Sequence, residues 1–220
     1  MVDHMGRRLK DILLDPLLGL IPRWVHPNGV TLLSLLPGLA AALFASLGMW
    51  LWALLAFALN RILDGLDGLI ARGRGLQSDF GGYMDIMIDF VVYAAIPIGV
   101  WIGVEAPLLA SSLPGEDLRL LSGSILPQAL PLIVLFAVFY VNAASWMYLS
   151  SLMEKRRAGS PSRSTSVEMP SGLVEGTETV LFYLLFLLLP SYYPLLFYLM
   201  AVATSVGVVQ RLRWAWKHLR

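Results

Sequence analysis

The chain contains no cysteine. That excludes a disulfide framework, a thiolate metal site and a cysteine nucleophile, and it leaves the redox compartment open. Charge is scarce as well: Asp, Glu, Lys and Arg make up 14% of the 220 residues and sum to +1. The basic residues flank apolar segments instead of forming a stripe, so nothing in the charge pattern points to nucleic acid. The amino terminus, MVDHMGRRLKDILL, carries no signal-peptide cleavage pattern, Val2 excludes myristoylation, and no internal repeat or second compact domain is visible. Hydrophobic residues fill the space that charge leaves, at 57% of the chain and a mean hydropathy of +0.70. Such a composition belongs to an integral membrane protein.

The expected fold is all-α and polytopic: six transmembrane helices preceded by an interfacial amphipathic helix, with residues 1–30 as a cytoplasmic N-terminal segment and 31–220 as the transmembrane domain. Residues 7–24, RRLKDILLDPLLGLIPRW, mix basic residues with Ile, Leu and Trp but are interrupted by Asp and Pro, which suits a helix lying in the interface. The first span follows Pro27 and Asn28, which suit a helix start, and runs to about Gly48; His26 reads as an interfacial residue. The second span covers about Met49 to Ala71, the third Phe80 to Val104 and the fourth 125 to 152, with polar loops expected over 105–124 and 153–173. The fifth begins at Val174, the segment from Pro190 to Pro194 makes a turn with interfacial tyrosines, and the sixth runs to about Val209 before a basic tail. Of the 16 Lys and Arg, Arg119 alone falls in a connection on the far side, so both termini are expected in the cytoplasm.

One stretch breaks the apolar pattern. From Asp64 to Asp89 the chain reads DGLDGLIARGRGLQSDFGGYMDIMID, placing Asp64, Asp67, Asp85 and Asp89 in sequence that should lie in a membrane. Ionisable side chains there are costly and mark a functional site. Asp64 and Asp67 are three apart and Asp85 and Asp89 four apart, so each pair shares a helix face. Gly73 and Gly75 end the first helix and Ser78 or Asp79 caps the second, giving an antiparallel hairpin with both pairs near its turn, on the cytoplasmic side. Four converging acids repel unless cations sit among them. An all-oxygen ligand set suits Mg²⁺ or Mn²⁺ and not zinc, and two such ions would balance four negative charges, the usual arrangement for displacement at phosphorus. Gly65, Gly68, Ala71, Gly81 and Gly82 leave room for something bulky near the backbone, and Arg72 and Arg74 supply positive charge where phosphates would sit. Arg61, one turn before Asp64, reads as a counter-ion for the acids or as a basic residue near the interface.

The pattern Asp64-x-x-Asp67-Gly68-x-x-Ala71-Arg72-x8-Gly81-x3-Asp85-x3-Asp89 matches every fixed position of the class I CDP-alcohol phosphotransferase signature, and the chain resembles that family. The resemblance implies transfer of a substituted phosphate from a CDP-linked donor to an alcohol, with release of CMP, in phospholipid biosynthesis. It implies Asp64, Asp67, Asp85 and Asp89 as metal ligands, Asp89 also as the general base, and Asn28, Thr31, Gly68, Ala71, Arg72, Ser78 and Gly81 as CDP contacts. It also implies a homodimer.

The donor is expected to be CDP-diacylglycerol, since a site at the membrane edge lets two acyl chains stay in lipid. A CDP-linked soluble alcohol passed to a lipid or polyol acceptor would use the same machinery. For the acceptor, the candidates are Asn142 on the fourth span and Glu175 and Glu178 at the start of the fifth, where the two acids either favour the helix dipole or meet the substrate. No basic residue lies between Asn142 and Lys155, which tilts the reading toward an uncharged or amine-bearing alcohol. Two competing readings share the acids: a two-metal lipid-diphosphate hydrolase, and a divalent-cation transporter.

Overall fold

In the computed structural model, which describes residues 21–111, 118–158 and 172–219, two glycines with positive φ set the first two turns of the chain. Helix α1, Pro27–Ser46, ends where Gly48 takes φ 71°, and α2, Trp50–Gly73, ends where Gly75 takes φ 64°. Both ends are Schellman closures: Met49 N–H donates to the Phe44 carbonyl at 2.8 Å, and Leu76 N–H to that of Ala71 at 2.9 Å. Helix α3 follows over Asp79–Ser111, α4 over Leu118–Ala158 and α5 over Gly176–Leu188; a short 3₁₀ turn, Pro190–Tyr192, then leads into α6, Tyr193–His218. Among the described residues there is no strand.

Among the described residues there are therefore six α-helices, but they are not six equal spans. Among the described residues, four segments are long and apolar enough to cross a membrane: α1, the Asp79–Pro107 part of α3, the Leu126–Arg156 part of α4, and Pro190–His218. Helix α2 carries Arg61, Asp64 and Asp67 within its length. Helix α5 has 13 residues and so reaches only roughly 20 Å, short of the ~30 Å hydrocarbon core.

The expected polar loop over 105–124 is a correction. Helix α3 continues to Ser111 and α4 starts at Leu118. Glu105, read as a loop residue, is buried within α3, its Oε1 2.7 Å from the Tyr193 hydroxyl, which also lies 3.0 Å from the Gln128 carbonyl. A buried carboxyl with such a partner does not require a loop. Likewise α4 runs on to Ala158, α5 starts at Gly176 instead of Val174, and α6 continues to His218, past the expected end at Val209. Most of the interfacial helix expected over 7–24 and of the loop over 153–173 lies outside the described residues; residues 21–24 form a bend and a turn.

Small residues decide how the first three helices assemble. Gly38, Ala41, Ala42 and Ala45 are the buried face of α1, and Val92, Ile96 and Val100 meet them from α3. A Cβ added at Gly99 or Gly103 would collide with the carbonyls of Ala42 and Ala45, so α1 and α3 approach at backbone distance. Helix α1 thus packs on both α2 and α3, while α4 pairs chiefly with α6. An aromatic chain joins the two groups: Phe57 on α2, Tyr183 and Phe186 on α5, and Phe197 on α6 follow one another at centroid separations of 5.9, 5.2 and 4.8 Å.

Candidate active site

Although α2 and α3 are consecutive and joined by a short turn, they make little backbone contact with each other along their lengths. The expected hairpin is therefore open, and its arms meet through long side chains. Ser78 is the cap that starts α3, its Oγ accepting the Gly81 N–H at 3.1 Å.

Across this gap the four aspartates fall into two groups. The Asp85 carboxyl lies within hydrogen-bonding reach of Asp64 and feels the charges of Asp64, Asp67 and Asp89. Ionised carboxylates do not sit so close without positive charge beside them. Arg61 supplies one such charge, its Nη2 2.7 Å from Asp89 Oδ1 and its Nη1 3.9 Å from Asp64 Oδ2, so the counter-ion reading of Arg61 is the correct one. Among the described residues, no group of three or more acids or histidines is placed to hold a metal ion as the side chains stand. The fit to a divalent cation rests instead on chemistry and placement: an oxygen-only donor set, gathered from two helices around an open gap, suits Mg²⁺ or Mn²⁺.

Asp67 and Asp85 also line a cavity of about 210 Å³. Its remaining wall includes Asn28 and Thr31 from α1, Gly68, Ala71 and Arg72 from α2, Ser78 from the turn and Gly81 from α3, so all seven residues expected to touch CDP border one space. Leu76 and Gln77 join them, and sequence reasoning passed over both. His26 caps α1 through its Nδ1, which lies 3.3 Å from the Asn28 N–H, and frees Asn28 from that role. A Cβ at Gly81 would press on Asn28 Oδ1 at 2.9 Å, while at Gly68 it would touch the Arg72 guanidinium at 3.0 Å. Both glycines therefore let a polar side chain of the cavity lie flat. The Thr31 hydroxyl donates to the Pro27 carbonyl at 3.1 Å.

Arg74 departs from the sequence reading. Its guanidinium donates to the carbonyls of Ile21 at 2.7 Å, Val25 at 3.0 Å and Pro22 at 3.2 Å, so it staples the segment before α1 to the α2–α3 turn and does not face the cavity. As the C-cap residue of α2 it points away from the helix face that Arg72 shares with Gly68.

The three acceptor candidates sit apart from this cavity's walls. Glu175 and Glu178 form a capping box at the start of α5: Glu178 accepts the Glu175 N–H at 3.2 Å, and Glu175 accepts the Gly172 N–H at 3.0 Å. Asn142 accepts a hydrogen bond from Arg211, which also feels the charge of Glu175. Arg211 was counted in the basic tail, but it is 5% exposed and its Nε is buried with no hydrogen-bond partner among the described residues. A cation therefore does face Asn142, because α6 continues two turns beyond Arg211 and brings it inside. Tyr93 was missed too, although its spacing of four from Asp89 continues the stripe of Asp85 and Asp89.

Residues 24–209 match the CDP-alcohol phosphatidyltransferase family. The chain belongs to it. This CDP-alcohol phosphatidyltransferase is thereby a transferase for substituted phosphate groups. It is 35% identical over 191 residues to the inner membrane protein YnjF of Escherichia coli, covering 86% of the chain and 82% of that relative. Its fold resembles the Mycobacterium tuberculosis phosphatidylinositol phosphate synthase PgsA1, solved with CDP-DAG bound, at TM-score 0.59 and 21% identity, over 95% of this chain and 94% of that one. The same enzyme solved with manganese and citrate gives TM-score 0.59 and 21% identity over 94% and 88%.

Proposed function

We propose that this transferase moves the phosphatidyl group of CDP-diacylglycerol to the hydroxyl of a small polar alcohol and releases CMP at the cytoplasmic face of the membrane. The observation that carries the reading is the single cavity bordered by all seven nucleotide candidates together with Asp67 and Asp85. CDP-DAG in the structural neighbour supports the donor. The basic residues flanking the α2–α3 turn support the cytoplasmic side.

The aspartates that would hold the divalent ions are Asp64, Asp67 and Asp85 with Asp89 at their edge; two Mg²⁺ or Mn²⁺ satisfy the charge count, and manganese in the neighbour supports the choice. Bound there, the ions supply neutralisation of the diphosphate and of the departing phosphate. Arg72, lying over Gly68 in the cavity wall, pairs with phosphate oxygens, and Asn28 and Ser78 meet the nucleotide. The acceptor oxygen attacks the phosphorus that carries diacylglycerol, the bond from that phosphorus to the CMP oxygen breaks, and the hydroxyl proton passes to the Asp89 carboxylate. Asn142, Glu175, Glu178 and Arg211 form the acceptor side. Two acids against one arginine leave that cluster negative, which favours an uncharged or amine-bearing alcohol.

The test is the full chain in lipid nanodiscs with radiolabelled CDP-diacylglycerol and a panel of amino alcohols, polyols and phosphorylated polyols, with and without chelator. Alcohol-dependent CMP release with a new lipid product, abolished by chelation and restored by Mg²⁺ or Mn²⁺, is expected. CMP release without any alcohol would establish a hydrolase instead, and turnover only with a CDP-linked soluble alcohol and diacylglycerol would reverse the donor and acceptor roles.

A further inference from the structure

We propose that Arg61 is a positioning residue: it fixes the carboxylate of Asp89 while weakening the hold of the aspartate cluster on divalent cations. The inference rests on the reading of Asp89 as the group that takes the acceptor's proton. The Arg61 side chain is 14% exposed and is held on several sides. Nη1 donates to the Tyr93 hydroxyl at 2.8 Å, Nη2 to Asp89 at 2.7 Å and Nε to Asn60 Oδ1 at 2.8 Å. The rings of Phe57 and Tyr93 lie 5.6 and 5.1 Å from the guanidinium carbon. Its partners are themselves anchored. Asn60 is fully buried and donates to the Ser34 carbonyl on α1 at 2.8 Å, and the Tyr93 carbonyl accepts the Tyr183 hydroxyl at 2.5 Å. A planar fork fixed this way differs from a mobile surface counter-ion. Because α2 and α3 barely pack on each other, this bridge sets where Asp89 stands relative to the acids of α2. The same fixed charge stands 3.9 Å from Asp64 and repels any divalent cation bound beside it.

Two opposite changes follow from removing it. In the full chain, Arg61→Gln is expected to lower kcat by about 10²-fold with the donor KM nearly unchanged, since general-base placement contributes on that order. Mn²⁺ binding, read by electron paramagnetic resonance without donor, is expected to tighten by roughly 3- to 10-fold as the repelling charge goes. Arg61→Lys restores the charge without the fork, so Mn²⁺ affinity returns toward wild type while kcat stays low. Tyr93→Phe keeps the charge and loosens the fork, lowering kcat several-fold with Mn²⁺ binding unchanged. A merely structural Arg61 would weaken both readouts together. Weaker Mn²⁺ binding in Arg61→Gln, or wild-type kcat in it, overturns the proposal; if that variant does not fold, wild-type kcat in both Arg61→Lys and Tyr93→Phe does so. Full activity of Asp89→Asn would instead overturn the underlying role of Asp89.

Discussion

The α1–α3 half and the α4–α6 half of the molecule are held together by different means. In the first, glycine and alanine bring α1 and α3 to backbone contact, and the site beside them is drawn from residues 27 to 89. In the second, α4 and α6 form the main pair, and a polar cluster joins Asn142, Glu175 and Arg211 from three helices. The first half is stiff because its small residues leave no slack, and on the proposed function it is the half that carries the phosphate chemistry. The second is built from larger side chains whose polar contacts can be exchanged singly. A common reaction with variable acceptors suits that division.

The largest separation between the halves is expected from Asp89→Asn. If Asp89 is the base as proposed, its loss should lower kcat by about 10³-fold, while binding of the CDP-lipid, measured by equilibrium dialysis, stays near wild type because Asp89 does not border the cavity. Arg211→Gln should do the reverse in kind, raising the acceptor KM by roughly 10-fold with the donor KM unchanged, as expected when one charged hydrogen bond is lost. If Arg211→Gln raises the donor KM equally, the two halves do not divide the substrates.

Packing gives the next contrast. Gly99→Leu forces a side chain onto the Ala42 carbonyl, where only backbone could give way. It should destabilise the protein by about 3 kcal/mol or prevent folding, since overpacking typically costs 1–3 kcal/mol and this contact is with main chain. Tyr193→Phe in the other half removes the hydroxyl from Glu105 and Gln128 and should cost about 0.5–1.5 kcal/mol, the net contribution of an ordinary hydrogen bond. Thermal unfolding in detergent measures both, and a milder effect at Gly99 than at Tyr193 would contradict the assignment of the rigid half.

How far the sequence discloses the molecule follows the same line. The two aspartate pairs were legible because helical spacing and one short turn bring them near each other, whereas the cavity wall was expected only through the family resemblance, since Asn28 and Thr31 reach it from α1. Arg74 was misread because spacing places a residue on a face only while the helix lasts, and Arg74 stands at its C-cap. Glu105 and Arg211 were misread for a different reason. Their partners Tyr193 and Asn142 lie 88 and 69 residues away, so a buried polar residue with a distant partner looks like part of a loop or a tail. The short reach of α5 was hidden because an apolar run does not show where its turn begins.

The smallest effect distinguishes the two readings of the acids at the start of α5. Glu178→Gln keeps a side-chain oxygen that can accept the Glu175 N–H, as glutamine does in capping boxes. Stability should therefore change by less than about 0.5 kcal/mol, the range of ordinary surface substitutions. If Glu178 serves only the helix, the acceptor KM will not move either. If its charge meets the alcohol, the acceptor KM should rise by about 3-fold, most for amine-bearing acceptors whose cation loses a partner, while neutral polyols are unaffected. A KM shift of equal size for both classes would point to a displaced α5, which Glu175→Gln would then reproduce, because Glu175 holds the Gly172 N–H that leads into the same turn.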